Sequence, residues 1–70
     1  MNLNIIKSIL NNKINKKVKV YEKNNRNKKL YYWGYIYKTY PRIFSVKNND
    51  IIKTYSYNEV IDGEVVLIFD

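Results

Sequence analysis

The first eleven residues carry apolar side chains at helical spacing. Leu3, Ile6 and Leu10 fall at i, i+3 and i+7, so they share one face of an amphipathic helix. Asn2 precedes them and is predicted to be the N-cap, because its side chain can accept a hydrogen bond from a free amide of the first turn. Such a short helix is marginal by itself in water. We therefore expect it to dock on the rest of the chain through Ile6 and Leu10.

From Lys16 onward the apolar period changes to two, which predicts β-strands with one buried face. Polar and turn-forming clusters divide this region into five strands: one from Lys16, then 30–38, 43–47, 51–56 and 64–69. One turn of 3₁₀ helix is predicted within residues 58–63. The last strand is apolar on both faces and is expected to be covered on both sides. Gly34, inside the second strand, predicts a bulge, a bend or a close approach of another backbone.

A single domain with a small barrel accounts best for these elements. An open sheet of this size would expose an apolar face and two edges, and closure removes both problems. The short break before the last strand favours an SH3-like barrel over an OB-fold, which usually carries a longer helix. We predict one mainly β domain over residues 1–70, with an N-terminal helix at 1–12 and a five-stranded SH3-like barrel at 16–70. Its predicted core consists of Val18, Val20, Ile36, Phe44, Val46, Val60, Val65 and Leu67.

The composition argues against several classes of function. Cys and His are absent, which excludes disulfides, Cys/His zinc sites and nucleophilic chemistry based on either residue. The acidic cluster of Glu59, Asp62 and Glu64 lacks the ligand spacing of a calcium loop. We predict no enzymatic activity, no metal and no cofactor. The longest apolar run, Val65–Ile68, is far shorter than the ~20 residues of a membrane span, and no signal peptide is visible. A cytoplasmic protein without membrane association is expected.

Positive charge is concentrated in the first two thirds of the chain. The net charge is +7, with +11 over residues 1–47 and −4 over residues 48–70. Basic side chains share one face of the first strand and continue into the loop at 23–29, beside the aromatic second strand. The predicted binding residues are Lys17, Lys19, Lys23, Arg26, Lys28, Lys29 and Trp33. Basic grooves beside aromatic rings bind single-stranded nucleic acid, and basic patches bind duplex backbones.

Three interpretations of this patch stay open. Asn, Lys, Ile and Tyr supply 40 of the 70 residues, and all four have AT-rich codons, so genome composition accounts for part of the charge and the aromatic content. The patch is then a solvated lysine face whose rings serve the core. The alternatives are contact with phosphates and contact with an acidic protein partner.

Two motifs resemble a known family. Tyr40-Pro41-Arg42-Ile43-Phe44 and Tyr55-Ser56-Tyr57-Asn58-Glu59-Val60 resemble the Veg family of small Gram-positive bacterial proteins, which shows Thr-Tyr-Pro-x-[Val/Ile]-Phe and then Ser-Tyr-Ser-Tyr-x-Asp-Val-Leu. Further matches are Ile6-Lys7, Arg26-Asn27-Lys28, Gly34-Tyr35-Ile36 and the tail Val65, Leu67 and Phe69. The chain departs from the family at Asn15 and Asn25, which replace glycines, at Thr54 and at Glu59.

The resemblance implies an SH3-like barrel and a non-enzymatic regulatory role. That role is the stimulation of biofilm formation through control of transcription, by opposition to a repressor. The expected function is accordingly a regulatory binding module with a protein partner, and the alternative is a small barrel that binds nucleic acid directly. The oligomeric state stays open, a homodimer included.

Overall fold

The computed structural model describes residues 2–23 and 30–69. Over these residues the chain is mainly β, and the strand boundaries lie within one residue of those predicted. In chain order the elements are α1 (Leu3–Asn11), β1 (Lys17–Glu22), β2 (Leu30–Thr39), β3 (Ile43–Asn48), β4 (Ile51–Ser56), α2 (Tyr57–Ile61) and β5 (Val65–Phe69). The Asn2 side chain caps α1 by accepting a 3.0 Å hydrogen bond from the Ile5 amide, as predicted.

The described strands form one antiparallel sheet in the order β4-β3-β2-β1-β5. Consecutive strands pair as a meander from β1 to β4. β5 then returns to pair with the edge of β1 that does not bond to β2. Within residues 2–23 and 30–69, no ladder joins β4 to β5. The sheet is therefore open at these two edges, and closure into an SH3-like barrel is not confirmed.

The sheet nevertheless curls strongly toward its core side. The Tyr55 hydroxyl on β4 donates a 2.5 Å hydrogen bond to the Glu22 carboxylate at the end of β1. In a flat sheet these two strands would lie roughly 14 Å apart, because each strand spacing is about 4.8 Å. The contact is possible only because the sheet bends β4 over β1. We call the concave side, which holds the core, the inner face, and the opposite side the outer face.

The break between β4 and β5 is an α-helical turn, so the predicted 3₁₀ turn was wrong. α2 begins one residue earlier than expected, at Tyr57, and Ser56 is its N-cap. The Glu59 amide donates to Ser56 Oγ at 3.2 Å, and the Ser56 amide donates to Glu59 Oε1 at 2.9 Å. This capping box satisfies free amides of the first turn, which allows an α-helical turn in a segment of only five residues.

The predicted core is largely confirmed. Five of the predicted core residues have no exposed surface: Val18, Val20, Ile36, Phe44 and Val46. Val65 is also buried, as are Ile6 and Leu10, through which α1 docks. Val60 and Leu67 are only partly buried against this cluster. Tyr55 and Tyr57, which are not in the predicted core list above, also belong to the core.

The two motifs that carry the family resemblance pack against each other. The Phe44 ring lies 5.8 Å from the Tyr55 ring and 5.6 Å from the Tyr57 ring, centroid to centroid. The Tyr57 hydroxyl donates a 2.6 Å hydrogen bond to the Tyr40 carbonyl, and the Tyr57 amide donates to the Arg42 carbonyl at 3.2 Å. These residues therefore fix the turn between β2 and β3 against α2, which is a structural role.

Two special backbone positions have clear causes. A Cβ atom at Gly34 would lie 2.7 Å from the Lys47 carbonyl oxygen, so this glycine permits a close approach of β3, one of the predicted outcomes. The register shift lies elsewhere, between Ile36 and Lys38. Asn15 has a φ of 68°, in the left-handed region that glycine and asparagine tolerate best. Asparagine is thus one of the residue types that adopt this conformation at little cost.

The prediction that β5 is covered on both faces was wrong. Ile68 is 46% exposed, whereas Val65 on the opposite face is buried. Both helices pack on the inner face, where Ile6 and Leu10 join the core. The outer face of β5 therefore stays open, and its apolar side chains reach the surface.

Candidate partner-binding surface

The lysines of β1 stand on the outer face of the sheet. Val18 and Val20 are fully buried on the inner face, so the alternation of a strand directs Lys17, Lys19 and Tyr21 outward. This arrangement follows the sequence prediction. Lys23 is exposed in the turn after β1, and its amide donates to the Glu64 carbonyl at 2.9 Å.

The remaining predicted basic residues lie outside the described part of the chain. These are Arg26, Lys28 and Lys29. The described surface therefore contains four of the seven predicted binding residues: Lys17, Lys19, Lys23 and Trp33.

The aromatic side chains of β2 lie directly beside these lysines. In the β1–β2 ladder, Lys19 is opposite Trp33 and Tyr21 is opposite Tyr31. The Trp33 side chain is 42% exposed and that of Tyr31 is 56% exposed. Trp33 is thus a surface residue on the outer face. The structure brings lysines and aromatic rings together on one face, as the sequence analysis predicted.

The ammonium groups of the lysines lie over these rings. Lys17 Nζ is 4.7 Å from the centre of the Trp33 ring, and Lys19 Nζ is 4.4 Å from that of Tyr31. Lys19 Nζ also lies 5.2 Å from Tyr21 and 5.7 Å from Trp33. Cation–π contacts at exposed sites contribute about 0.5–1 kcal/mol each. The rings therefore hold the two positive charges in place on the surface.

A similar pair of contacts extends the basic surface across β2 to β3. Lys38 Nζ and Lys47 Nζ lie 5.4 and 5.3 Å from the centre of the Tyr37 ring. We define the lysine–aromatic face as the outer-face residues Lys17, Lys19, Tyr21, Tyr31, Trp33, Tyr35, Tyr37 and Lys47. By strand alternation, no outer-face position within the described residues of the five strands carries an aspartate or a glutamate. This face is suited to an anionic partner.

A polar cluster that the sequence analysis missed lies on the inner face. The Tyr32 and Tyr55 hydroxyls are 2.6 Å apart, Tyr55 bonds to Glu22, and Lys53 Nζ lies 3.6 Å from the same carboxylate. The alternation of Val18 and Val20 continues to Glu22 and places its side chain on the inner face. This pattern in the sequence could have identified Glu22 as a member of the cluster. Its partners come from β2 and β4, and only the curl of the sheet brings them together.

The two phenols of this cluster are unsuited to act as general bases. Burial raises the pKa of the Tyr55 phenol above its ordinary value, and the hydrogen bond to Glu22 raises it further. Burial also raises the pKa of Tyr32. Both phenols therefore keep their protons at neutral pH, so neither can act as a base or a nucleophile. The cluster instead connects three strands of the curled sheet.

The described residues contain no cluster of three or more acidic side chains that could hold a metal ion. Over 2–23 and 30–69, no three acidic side chains converge, and Glu59 of the acidic cluster is engaged in the cap of α2. None of the described helices is long and apolar enough to cross a membrane.

Comparison with known proteins places the chain in a family. A search of the curated proteins found no match. A family model described as biofilm formation stimulator VEG matches residues 1–68, which is nearly the whole chain and includes both the lysine–aromatic face and the packed motifs. The chain therefore belongs to the Veg family of biofilm formation stimulators.

Proposed function

We propose that this protein is a non-enzymatic regulatory module that stimulates biofilm formation by binding an acidic surface of a protein partner. In this proposal the partner is a regulator of transcription such as a repressor. The protein opposes the activity of this partner and thereby changes transcription. The family supports the role in biofilm formation. The observation that supports the binding mode is the lysine–aromatic face, where positive charges are held over exposed rings and no described acid interrupts them.

The shape of this face favours a protein over a single strand of nucleic acid. Proteins that bind single strands combine a positively charged groove with ring faces that are free to stack on bases. Here the sheet curls away from the lysine–aromatic face, so the face is convex. Lys17 and Lys19 already lie over the rings of Trp33 and Tyr31. A stacking base would have to displace them, whereas a carboxylate could bind the ammonium groups where they are.

Direct nucleic-acid binding is the second candidate, and one observation favours it. Trp33 and Tyr31 are exposed beside lysines on neighbouring positions of β1. Aromatic and basic side chains together are the residue types that bind a single strand of nucleic acid. In that case affinity would fall with salt at a slope of about −0.7 to −0.9 for each phosphate neutralised.

Trp33 is the only tryptophan of the chain, so its fluorescence reports on this face alone. We would titrate the protein with poly-glutamate and with a single-stranded oligonucleotide at several salt concentrations. The proposal predicts a fluorescence change and binding with poly-glutamate. It also predicts weak binding of the oligonucleotide. Stronger binding of the oligonucleotide than of poly-glutamate at equal ionic strength would favour the second candidate.

The partner itself is tested by capture from the native cytoplasm with and without nuclease. The test variant is Lys17→Gln/Lys19→Gln. The matched control is Lys7→Gln/Lys16→Gln, which removes the same charge from α1 and from the segment before β1. We expect a transcriptional regulator to survive nuclease and to be lost only with the test variant, together with biofilm stimulation. Equal capture and stimulation by both variants would contradict the proposal.

A further inference from the structure

The edge strand β5 lacks the usual protection against pairing. Its five residues, Val65–Phe69, are all apolar, and Ile68 is 46% exposed. Native edge strands generally carry charges, proline or a bulge that prevent another strand from pairing with them. The opposite edge, β4, carries Lys53 and Thr54, both exposed. β5 is therefore the edge of this sheet that is best suited to accept another strand.

The register of β5 identifies the backbone groups that face the free edge. The Lys23 amide donates to the Glu64 carbonyl, and these residues continue the β1–β5 register. Because hydrogen-bonded and non-hydrogen-bonded pairs alternate in an antiparallel ladder, Val66 and Ile68 bond to β1. The amides and carbonyls of Val65, Leu67 and Phe69 point to the free edge. Among the described residues, no backbone bond outside the ladders uses them.

An open apolar groove lies beside this edge. Its volume is about 230 Å³, and its walls are β5 on one side and the two helices on the other. The lining residues that matter here are Ile6, Ile9, Val60, Leu67 and Phe69. Ile9 is 43% exposed. An added strand would therefore gain apolar contacts on the inner side as well as backbone hydrogen bonds.

We propose that two copies of this chain pair through β5, antiparallel, with Leu67 on the two-fold axis. Leu67 then pairs with Leu67 of the second copy, and Val65 pairs with Phe69 at each end. All three are the residues whose backbone faces the free edge, so each pair can exchange both of its N–H···O bonds. On the outer face, Val66 lies opposite Ile68 of the second copy. The apolar strand is thus complementary to itself, as a two-fold interface requires.

Repulsion between the two basic outer faces does not oppose this pairing. The two β1 strands would be separated by three strand spacings, roughly 14 Å, which exceeds the Debye length of about 8 Å at physiological salt. The axis is perpendicular to the sheet, so both lysine–aromatic faces point the same way. The dimer would present two such faces on one continuous sheet. This inference does not depend on the proposed function.

Amide hydrogen exchange at several protein concentrations tests the register residue by residue. We expect the amides of Val65, Leu67 and Phe69 to become protected as concentration rises. The amides of Val66 and Ile68 should be protected at every concentration, because they bond to β1. The proposal would be overturned if the amides of Val65, Leu67 and Phe69 were protected equally at every concentration, or at none.

Matched variants on the two edge strands test the interface independently. Ile68→Lys removes two symmetry-related outer-face contacts and should weaken the dimer by about tenfold or more in sedimentation equilibrium. The control Ile52→Lys changes an outer-face isoleucine of β4, 50% exposed, and should leave dimerisation unchanged. Equal effects of Ile68→Lys and Ile52→Lys would refute the interface.

Discussion

Gly34 lies between the exposed Trp33 and the partly buried Tyr35 on the strand that carries the lysine–aromatic face, and its replacement by alanine should destabilise the fold. A Cβ atom there would lie 2.7 Å from the Lys47 carbonyl oxygen and 2.9 Å from Val46 Cγ1. Both distances are shorter than real Cβ contacts allow. The oxygen belongs to the backbone of β3, which pairs on both sides, with β2 and β4. It cannot move without distortion of the sheet.

The expected loss is the difference between two opposing effects. Overpacking of a well-packed core costs about 1–3 kcal/mol. Alanine also restricts the unfolded chain, which stabilises the fold by about 0.4–1 kcal/mol. The midpoints of these two ranges give a net loss of unfolding free energy of about 1.3 kcal/mol. For a domain of this size each kcal/mol lowers Tm by about 4–8 °C, so we expect Gly34→Ala to lower Tm by roughly 5–10 °C.

Thermal unfolding followed by circular dichroism measures this shift, and a double-mutant cycle with Val46→Ala identifies its source. Val46→Ala removes the movable part of the clash and leaves the Lys47 oxygen in place, so it should relieve the Gly34→Ala defect only in part. Complete relief would show that the backbone contact is unimportant. A Tm of Gly34→Ala equal to or above that of the original chain would refute the close approach altogether.

The second glycine provides a control with a different physical cause. Gly63 has nothing within 4 Å of an added Cβ, but its φ is +80°. Gly63→Ala should therefore cost about 1–2 kcal/mol through backbone strain alone. Gly63→Asn should recover most of this loss, because asparagine tolerates the left-handed region. Gly34→Asn should recover none of the loss at Gly34.

Three further predictions concern the core, the cap of α2 and the inner polar cluster. Phe44→Ala should reduce the unfolding free energy by about 3–5 kcal/mol, since the ring is fully buried; unchanged thermal unfolding would refute the core assignment. Ser56→Ala should cost about 0.5–2 kcal/mol in urea unfolding by loss of the cap; a change below this range would show that the capping box contributes little. The pKa of Tyr55 is raised above its ordinary value of 10.0, so its contribution to stability is complete below pH 10 and is lost as pH rises above 10. Tyr55→Phe should therefore make the alkaline loss of stability less steep, and an unchanged pH profile would contradict the contacts of Tyr55.

The sequence by itself determined α1, the five strands and the buried side of β1. Alternation is a local property, so Val18 and Val20 predicted both the core side of β1 and the outward position of Lys17 and Lys19. The cap at Asn2 was predictable for the same reason, because it depends on neighbouring residues. The order of the motifs likewise predicted the family, which the match over residues 1–68 confirms.

Only the tertiary structure decided what depends on distant strands. The inner polar cluster needs the curl that brings Tyr55 of β4 to Glu22 of β1, and nothing in either local pattern encodes that curl. Whether β5 is covered depends on which side the helices pack, and they pack on the inner face only. Closure of the sheet is a long-range property as well, which is why β4 and β5 could be predicted as strands but not as unpaired edges. The positions of the ammonium groups over the rings follow from the β1–β2 register. This register is set by the pairing of the two strands and not by the local sequence of either strand.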